Sequence, residues 1–269
     1  MPQPATATPL VFAHANGFPG RSYRSFLAPL EARFDMHPVE QLGHHPDFPV
    51  GHNWLALRDE LLEQLQAFSE PVIGVGHSMG GVLTAMAAEQ APERFRCVVM
   101  LDPPLMLGVD AMAMKLAKRL GFVDRVTPAG RTLGRRSRWS DRSAMRDYLR
   151  RRSLFRRFTD QALDDYIEAV PGSSRRVGWF CAMTRYRSRH LPPPARSPER
   201  SPERARVPLG VLAGGESDLL TSRRRRRLRR RGVRVAEVPG GHMFPMEHPE
   251  ATREALLAML DTLLDGGGR

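Results

Sequence analysis

Apolar residues in this chain follow two patterns, and the alternation between them predicts the fold. Short, largely apolar runs at residues 9–14, 34–40, 71–76, 96–101, 207–213 and 233–238 read as strands. Apolarity that is continuous rather than alternating means burial on both faces, as in a parallel sheet covered by helices. Between the runs, apolar residues recur at helical spacing. Trp54, Leu57, Leu61, Leu62, Leu65 and Phe68 form one stripe, in a helix expected over residues 53–68. Tyr23, Phe26, Leu27 and Leu30 form another, which Pro29 should bend or restart. A third helix is expected directly after Ser78. A last one covers 249–264, with Pro249 in its first turn and Gly266 beyond its end.

The rhythm is interrupted once. Residues 105–206 contain helical stretches at 106–120, 144–158 and 161–169 but no convincing strand. They return through a Pro-rich polar segment, Leu191-Pro192-Pro193-Pro194 followed by the near-repeat S-P-E-R-S-P-E-R. The expected fold is therefore α/β: a mainly parallel six-stranded sheet with helices on both faces, and an all-α cap inserted between the fourth and fifth strands. Residues 1–104 and 207–269 form the core domain, and 105–206 the helical cap.

Composition adds limits. The 269 residues suffice to bury roughly three quarters of the unfolded surface. No apolar run approaches the ~20 residues that span a bilayer, and Met1 to Leu10 lacks a basic start and a hydrophobic signal core. No membrane insertion and a cytoplasmic location are expected. Two cysteines, Cys97 and Cys181, do not make a disulfide framework and read as buried thiols. The net charge of +12 is concentrated: residues 105–231 hold 32 Lys+Arg against 12 Asp+Glu, and residues 1–104 hold 6 against 11. Much of it lies in the cap and in the run RRRRRLRRR at 223–231. Such a surface could draw acidic partners, an acidic carrier protein among them, or be a solvated helix face. With no recognition helix and no basic strip interleaved with aromatics, nucleic acid is not expected as the main partner.

The chemistry starts at Gly76-His77-Ser78-Met79-Gly80-Gly81, which joins a predicted strand to a predicted helix. Serine with glycine two residues before and two after fits a turn so sharp that only Gly leaves room around the Ser. In an open parallel sheet, loops at the carboxyl ends of the strands gather on one edge, where ligands bind. That rule brings together the loop at 14–20, Ser78, the loop ending at Asp218 and the loop carrying His242. A serine nucleophile needs a base, and the base needs a carboxylate to orient it. Ser78, His242 and Asp218 supply the three. His248 is a rival base, set aside because Glu247-His248-Pro249 reads as a helix start. His44, His45 and His52 invite a metal reading, but no Cys or Glu stands at ligand spacing, so neither a metal nor another cofactor is expected.

These motifs resemble those of the α/β-hydrolase fold superfamily: G-H-S-M-G-G at the elbow, G-G-E-S-D after the next-to-last strand, P-G-G-H after the last, in the order Ser, Asp, His. The resemblance covers nearly the whole chain apart from the insertion. It implies a serine hydrolase working through an acyl-enzyme on carboxylic esters, thioesters included. A carbon–carbon bond hydrolase of activated ketones and a non-catalytic small-molecule receptor are the alternatives. Because some relatives carry their acid after the fourth strand, it also leaves Asp102 as a rival to Asp218. For the oxyanion it implies the backbone N–H of Met79 and one from Asn16-Gly17-Phe18-Pro19, where relatives read H-G-x-P. Phe18 is the expected donor there and Asn16 the alternative. Met106, Met112, Met114, Met145 and Met183, with Trp179 and Phe180, could form an adaptable acyl pocket in the cap or be plain core.

Overall fold

The computed structural model describes residues 7–49, 54–105, 139, 141–170 and 207–265. Six strands form one parallel sheet: β1 (Thr8–Ala13), β2 (Phe34–Pro38), β3 (Val72–His77), β4 (Phe95–Leu101), β5 (Leu209–Gly214) and β6 (Arg234–Val238). Their order is β2-β1-β3-β4-β5-β6, and every neighbouring pair is parallel. All six strands expected from the apolar runs are present. The order reverses once: the chain steps outward from β1 to β2, then returns to lay β3 on the other side of β1. A crevice opens at such a switch point, at the carboxyl ends of β1 and β3.

Side chains alternate through the sheet and build a core on each face. Leu10, Phe12, Ile73, Val75, Cys97, Val99 and Leu101 join one layer, with Tyr23, Phe26 and Leu30 from the segment after β1 and Leu256, Leu260 and Leu263 from the C-terminal helix. Val11, Ala13, Val98, Met100, Val211 and Ala213 join the other, under Leu57, Leu61, Leu65, Val82, Leu83, Leu220 and Leu228. Among the described residues the helices of eight residues or more are α1 (Leu55–Leu65), α2 (Met79–Gln90), α3 (Arg142–Arg150), α4 (Asp160–Ala169), α5 (Ser222–Arg229) and α6 (Pro249–Asp265). The stripe through Tyr23 to Leu30 is not one helix. It breaks into short turns at Gly20–Tyr23, Arg24–Leu27 and Ala28–Ala32, the last with Pro29 in its first turn.

Of the expected insertion over 105–206, residues 105, 139 and 141–170 are described. Its two helices each open on a side-chain cap, Asp141 accepting from Ala144 N–H and Thr159 from Ala162 N–H. Contacts of several kinds dock the segment on the core. Buried Asp165 accepts from Arg24 Nε (3.0 Å) and Ser25 N–H (2.7 Å), and Thr159 N–H donates to Met246 O (3.0 Å). Arg157 meets Glu216 through both terminal nitrogens (2.6 and 3.1 Å) and lies 3.6 Å from Glu247. Phe155, Phe158 and Tyr166 surround Phe18 at ring separations of 6.0, 6.1 and 5.1 Å. Met145 belongs to this buried core, with 4% of its surface exposed. Met106, Met112, Met114, Met183, Trp179, Phe180, Cys181, His52 and the Pro-rich return lie outside the described residues.

The Arg-rich run forms α5, capped by Thr221. Arg225 turns inward with Leu228 and meets Glu237 at 3.2 Å, while Arg223, Arg226 and Arg230 are exposed. Among the described residues no helix is long and apolar enough to cross a membrane.

Candidate active site

The turn after β3 is set by what its glycines exclude. A Cβ on Gly76 would lie 2.4 Å from the Gly80 carbonyl carbon and 2.5 Å from Gly81 N, and one on Gly80 would lie 2.1 Å from Ala13 O. The backbones of β3, β1 and the start of α2 thus touch with no side chain between them. Ser78, at the apex, has φ 53° and ψ −117°, a left-handed conformation that costs a non-glycine residue roughly 1–3 kcal/mol. It is held there by its own N–H on Leu101 O (2.8 Å) and by Val82 N–H on its carbonyl (3.2 Å). The strain lifts the hydroxyl clear of the sheet edge, and Met79 begins α2 with its N–H outside the helical ladder.

Ser78 Oγ lies 3.0 Å from His242 Nε2, and His242 Nδ1 lies 2.7 Å from Asp102 Oδ2. A serine, an imidazole and a carboxylate therefore stand in line at the carboxyl ends of β3, β6 and β4. The carboxylate facing His242 is Asp102 and not Asp218, which corrects the expectation from sequence. The reason is topological. β4 lies directly beside β3, and Asp102 is the first residue beyond it, turned inward by a φ of 43° and anchored by its N–H on Leu212 O (2.7 Å). Asp218 is four residues past the end of β5, and by then the loop has carried it to an exposed position.

The G-G-E-S-D stretch serves the site through the residue before its aspartate. Ser217 Oγ–H donates to Asp102 Oδ2 at 2.5 Å, while Leu219 N–H donates to Ser217 Oγ and Gly214 N–H reaches Asp102 Oδ1 at 3.4 Å. Asp102 is fully buried, and each of its contacts is with a donor. Sequence reading missed Ser217, because a lone serine in a polar loop carries no periodic signal.

The loop bearing His242 is pinned by its backbone. Gly240, at φ 102°, allows the bend, Gly241 N–H donates to Glu247 Oε2 (2.8 Å), and Glu216 N–H donates to Gly240 O (2.9 Å). His248 starts the connection to α6, its N–H on Phe244 O, and is not the imidazole facing Ser78.

The loop after β1 also differs from expectation. Phe18 N–H is consumed by a turn closing on Ala15 O (3.0 Å), with Gly17 at φ 80° in the position that favours glycine. Asn16, at the turn's exposed shoulder, has its N–H outside that closure. The Phe18 ring is buried in the aromatic cluster described above. His14 Nδ1 also meets Ala15 O, at 2.8 Å, and burial holds this imidazole at a pKa of about 4.

Behind the serine lie two further polar side chains, His77 and Tyr23, both fully buried. Tyr23 Oη is 2.7 Å from His77 Nδ1 and accepts from Ala15 N–H (3.3 Å), while His77 Nε2 is 2.8 Å from His242 O. Burial, and secondarily the neighbouring His242, push the His77 pKa well below that of a free imidazole, and burial pushes the Tyr23 phenol up. Cys97, buried within β4, has its thiol raised to about 12 by burial and is chemically quiet. His44 and His45 lie on the loop after β2, and among the described residues no three His, Cys, Asp or Glu side chains gather as a metal set.

Comparison with known proteins agrees with this architecture. The sequence model described as the alpha/beta hydrolase family matches residues 10–255. A search of curated proteins gave no match. Among solved structures, E-2-(acetamidomethylene)succinate hydrolase superposes with a TM-score of 0.67 at 20% identity, over 96% of this chain and 93% of that one. The peroxisomal α/β-hydrolase Lpx1 of Saccharomyces cerevisiae gives 0.68 at 17% identity, over 97% and 79%. The thioesterase domain from the curacin biosynthetic pathway gives 0.67 at 16% identity, over 93% and 91%.

Proposed function

The chain belongs to the α/β-hydrolase family, and we propose that it is a serine hydrolase that cleaves carboxylic esters through an acyl-enzyme on Ser78. The observation that carries this reading is the strained elbow with its hydroxyl 3.0 Å from His242 Nε2, the imidazole being backed at 2.7 Å by a buried carboxylate. In the first half-reaction His242 takes the Ser78 proton as Oγ bonds to the ester carbonyl carbon. Collapse of the tetrahedral adduct expels the alcohol, which leaves with the proton held on His242 Nε2. In the second half-reaction His242 deprotonates water, water attacks the acyl carbon, and the acid leaves as the proton returns to Ser78. Asp102 keeps Nδ1 protonated and stabilises the transient imidazolium, the role the sequence had suggested for Asp218.

Met79 N–H is the first oxyanion donor in this reading. Asn16 N–H is preferred to Phe18 N–H as the second, because the latter is spent within its turn. The segment 141–170 is read as part of a cap over 105–206. It sets aromatic side chains beside the oxyanion loop, which suits a moderately apolar acyl group. Thioesters fall within the same chemistry, and a thioesterase is among the structural relatives.

A panel of p-nitrophenyl esters of graded acyl length, with a fluorophosphonate label, tests the proposal. Wild type should turn over part of the panel and be labelled, and Ser78→Ala should lose labelling and at least about 10³-fold in kcat. Folded wild type that neither hydrolyses any ester nor takes the label would overturn it.

A further inference from the structure

His242 is held by more than its two ring contacts, and the atoms that hold its main chain admit one arrangement of protons. The carbonyl of His242 can only accept, so His77 must carry its proton on Nε2 to meet it at 2.8 Å. Burial keeps this imidazole neutral, which leaves Nδ1 as a bare lone pair. Tyr23 Oη, 2.7 Å from Nδ1, must then donate to it, and its remaining lone pair faces the donor Ala15 N–H at 3.3 Å. The opposite tautomer would set a nitrogen lone pair against the His242 carbonyl and take from the Tyr23 hydroxyl hydrogen the acceptor it has at Nδ1. The chain Ala15 N–H to Tyr23 Oη–H to His77 Nδ1, with His77 Nε2–H to His242 O, is thus satisfied in one direction only.

Its ends are the two loops on which the proposed chemistry depends. Ala15 closes the turn that carries Asn16, and its carbonyl takes both Phe18 N–H and His14 Nδ1. His242 is the base. Between the ends, His77 is the last residue of β3, immediately before Ser78, and its ring lies 5.0 Å from that of His242. Through Tyr23 the loop after β1 joins the loops after β3 and β6 at this one buried imidazole.

We propose that Tyr23 and His77 are positioning residues, a buried hydrogen-bond relay that holds the base His242 and the oxyanion loop in register with the nucleophile. The relay touches neither substrate nor the reacting atoms. It fixes main-chain positions, and a displacement of about 1 Å in such a site can cost about 10²-fold in rate. Its catalytic meaning rests on the triad reading above, and its proton arrangement does not.

The experiment therefore has two arms. In kinetics on the best ester, Tyr23→Phe, which removes a single oxygen from a folded core, should lower kcat about 10-fold with KM almost unchanged. His77→Leu should lower it about 10²-fold. His77→Gln, whose amide can still donate toward His242 O, should recover part of that loss. In the second arm, imidazole ¹⁵N spectra of wild type at neutral pH should show His77 protonated at Nε2 and bare at Nδ1. Wild-type kcat in both Tyr23→Phe and His77→Leu, with Ser78→Ala inactive, would overturn the relay and leave the hydrolase reading standing. A His77 protonated at Nδ1 would overturn the relay even if no ester were ever hydrolysed. An inactive wild type with the Nε2 proton in place would fault the hydrolase reading and support the relay's geometry.

Discussion

Two carboxylates and two imidazoles lie near the same sheet edge, and burial separates each pair. Asp102 is 0% exposed and pinned by Ser217, Gly214 and His242, whereas Asp218 stands in solvent on a loop that has already turned away. His77 is sealed between Tyr23 and a main-chain carbonyl, whereas His242 keeps 30% of its side chain exposed beside Ser78. The sealed member of each pair has every polar atom committed and can only orient. The open imidazole has one face left for a substrate. Position along the chain does not give this division. It comes from how each loop turns: Asp102 directly follows β4 and points inward, whereas Asp218 and His242, each four residues past a strand, end in solvent and beside Ser78.

The sharpest way to break the comparison is to neutralise the two carboxylates in turn. Asp102→Asn keeps the shape but presents His242 with an amide that can favour the wrong tautomer, and kcat should fall about 10⁴-fold. Asp218→Asn changes an exposed side chain and should leave kcat within about two-fold of wild type. Steady-state kinetics on both variants decides the matter, and an active Asp102→Asn with an inactive Asp218→Asn would return the acid to the loop after β5. A smaller effect sharpens the same contrast. Ser217→Ala removes one hydrogen bond of the charge-assisted kind, about 1.5–3 kcal/mol, from a carboxylate that keeps its other donors. A kcat about 10-fold lower at unchanged KM is expected, and wild-type kinetics would mean that Ser217 merely shapes the loop.

The fold was legible because its signals are local and repeated. Six apolar runs, the glycines around Ser78 and the proline opening α6 each constrain backbone within a few residues. The positions of Ser78 and His242 were legible from G-H-S-M-G and P-G-G-H, the serine directly after β3 and the histidine four residues past the end of β6. The carboxylate that faces His242 was harder to read. Asp102 and Asp218 both follow strands, and the choice between them depends on the three-residue turn at Gly215–Ser217, which apolar periodicity does not reach. The same holds for the Phe18 amide: G-F-P marks a turn, but not which N–H closes it. Tyr23 sits within an apolar stripe and His77 within the elbow motif, and neither was singled out for a polar role. A polar group inside a fully buried run must find a partner, and at His77 that rule was the one available signal.

The last contrast concerns stability, and it again sets sealed imidazoles apart from open ones. His14 is neutral in the folded protein down to a pH of about 4, because burial opposes its charge and the nearby His44 adds to the opposition. In the unfolded chain it takes up a proton near the ordinary value of 6.5. Between those values unfolding binds a proton, so stability falls as pH drops through that window and is flat above it, at about 1.4 kcal/mol per pH unit for each such imidazole. His77 is shifted in the same direction and adds to the slope. Urea unfolding at a series of pH values from 7.5 to 4.5 should show this decline, and His14→Gln, which has no proton to gain, should flatten it by about one proton's share. A variant as steep as wild type would mean that His14 titrates alike in the folded and unfolded chain, and that the loop after β1 is open to water where the structure seals it.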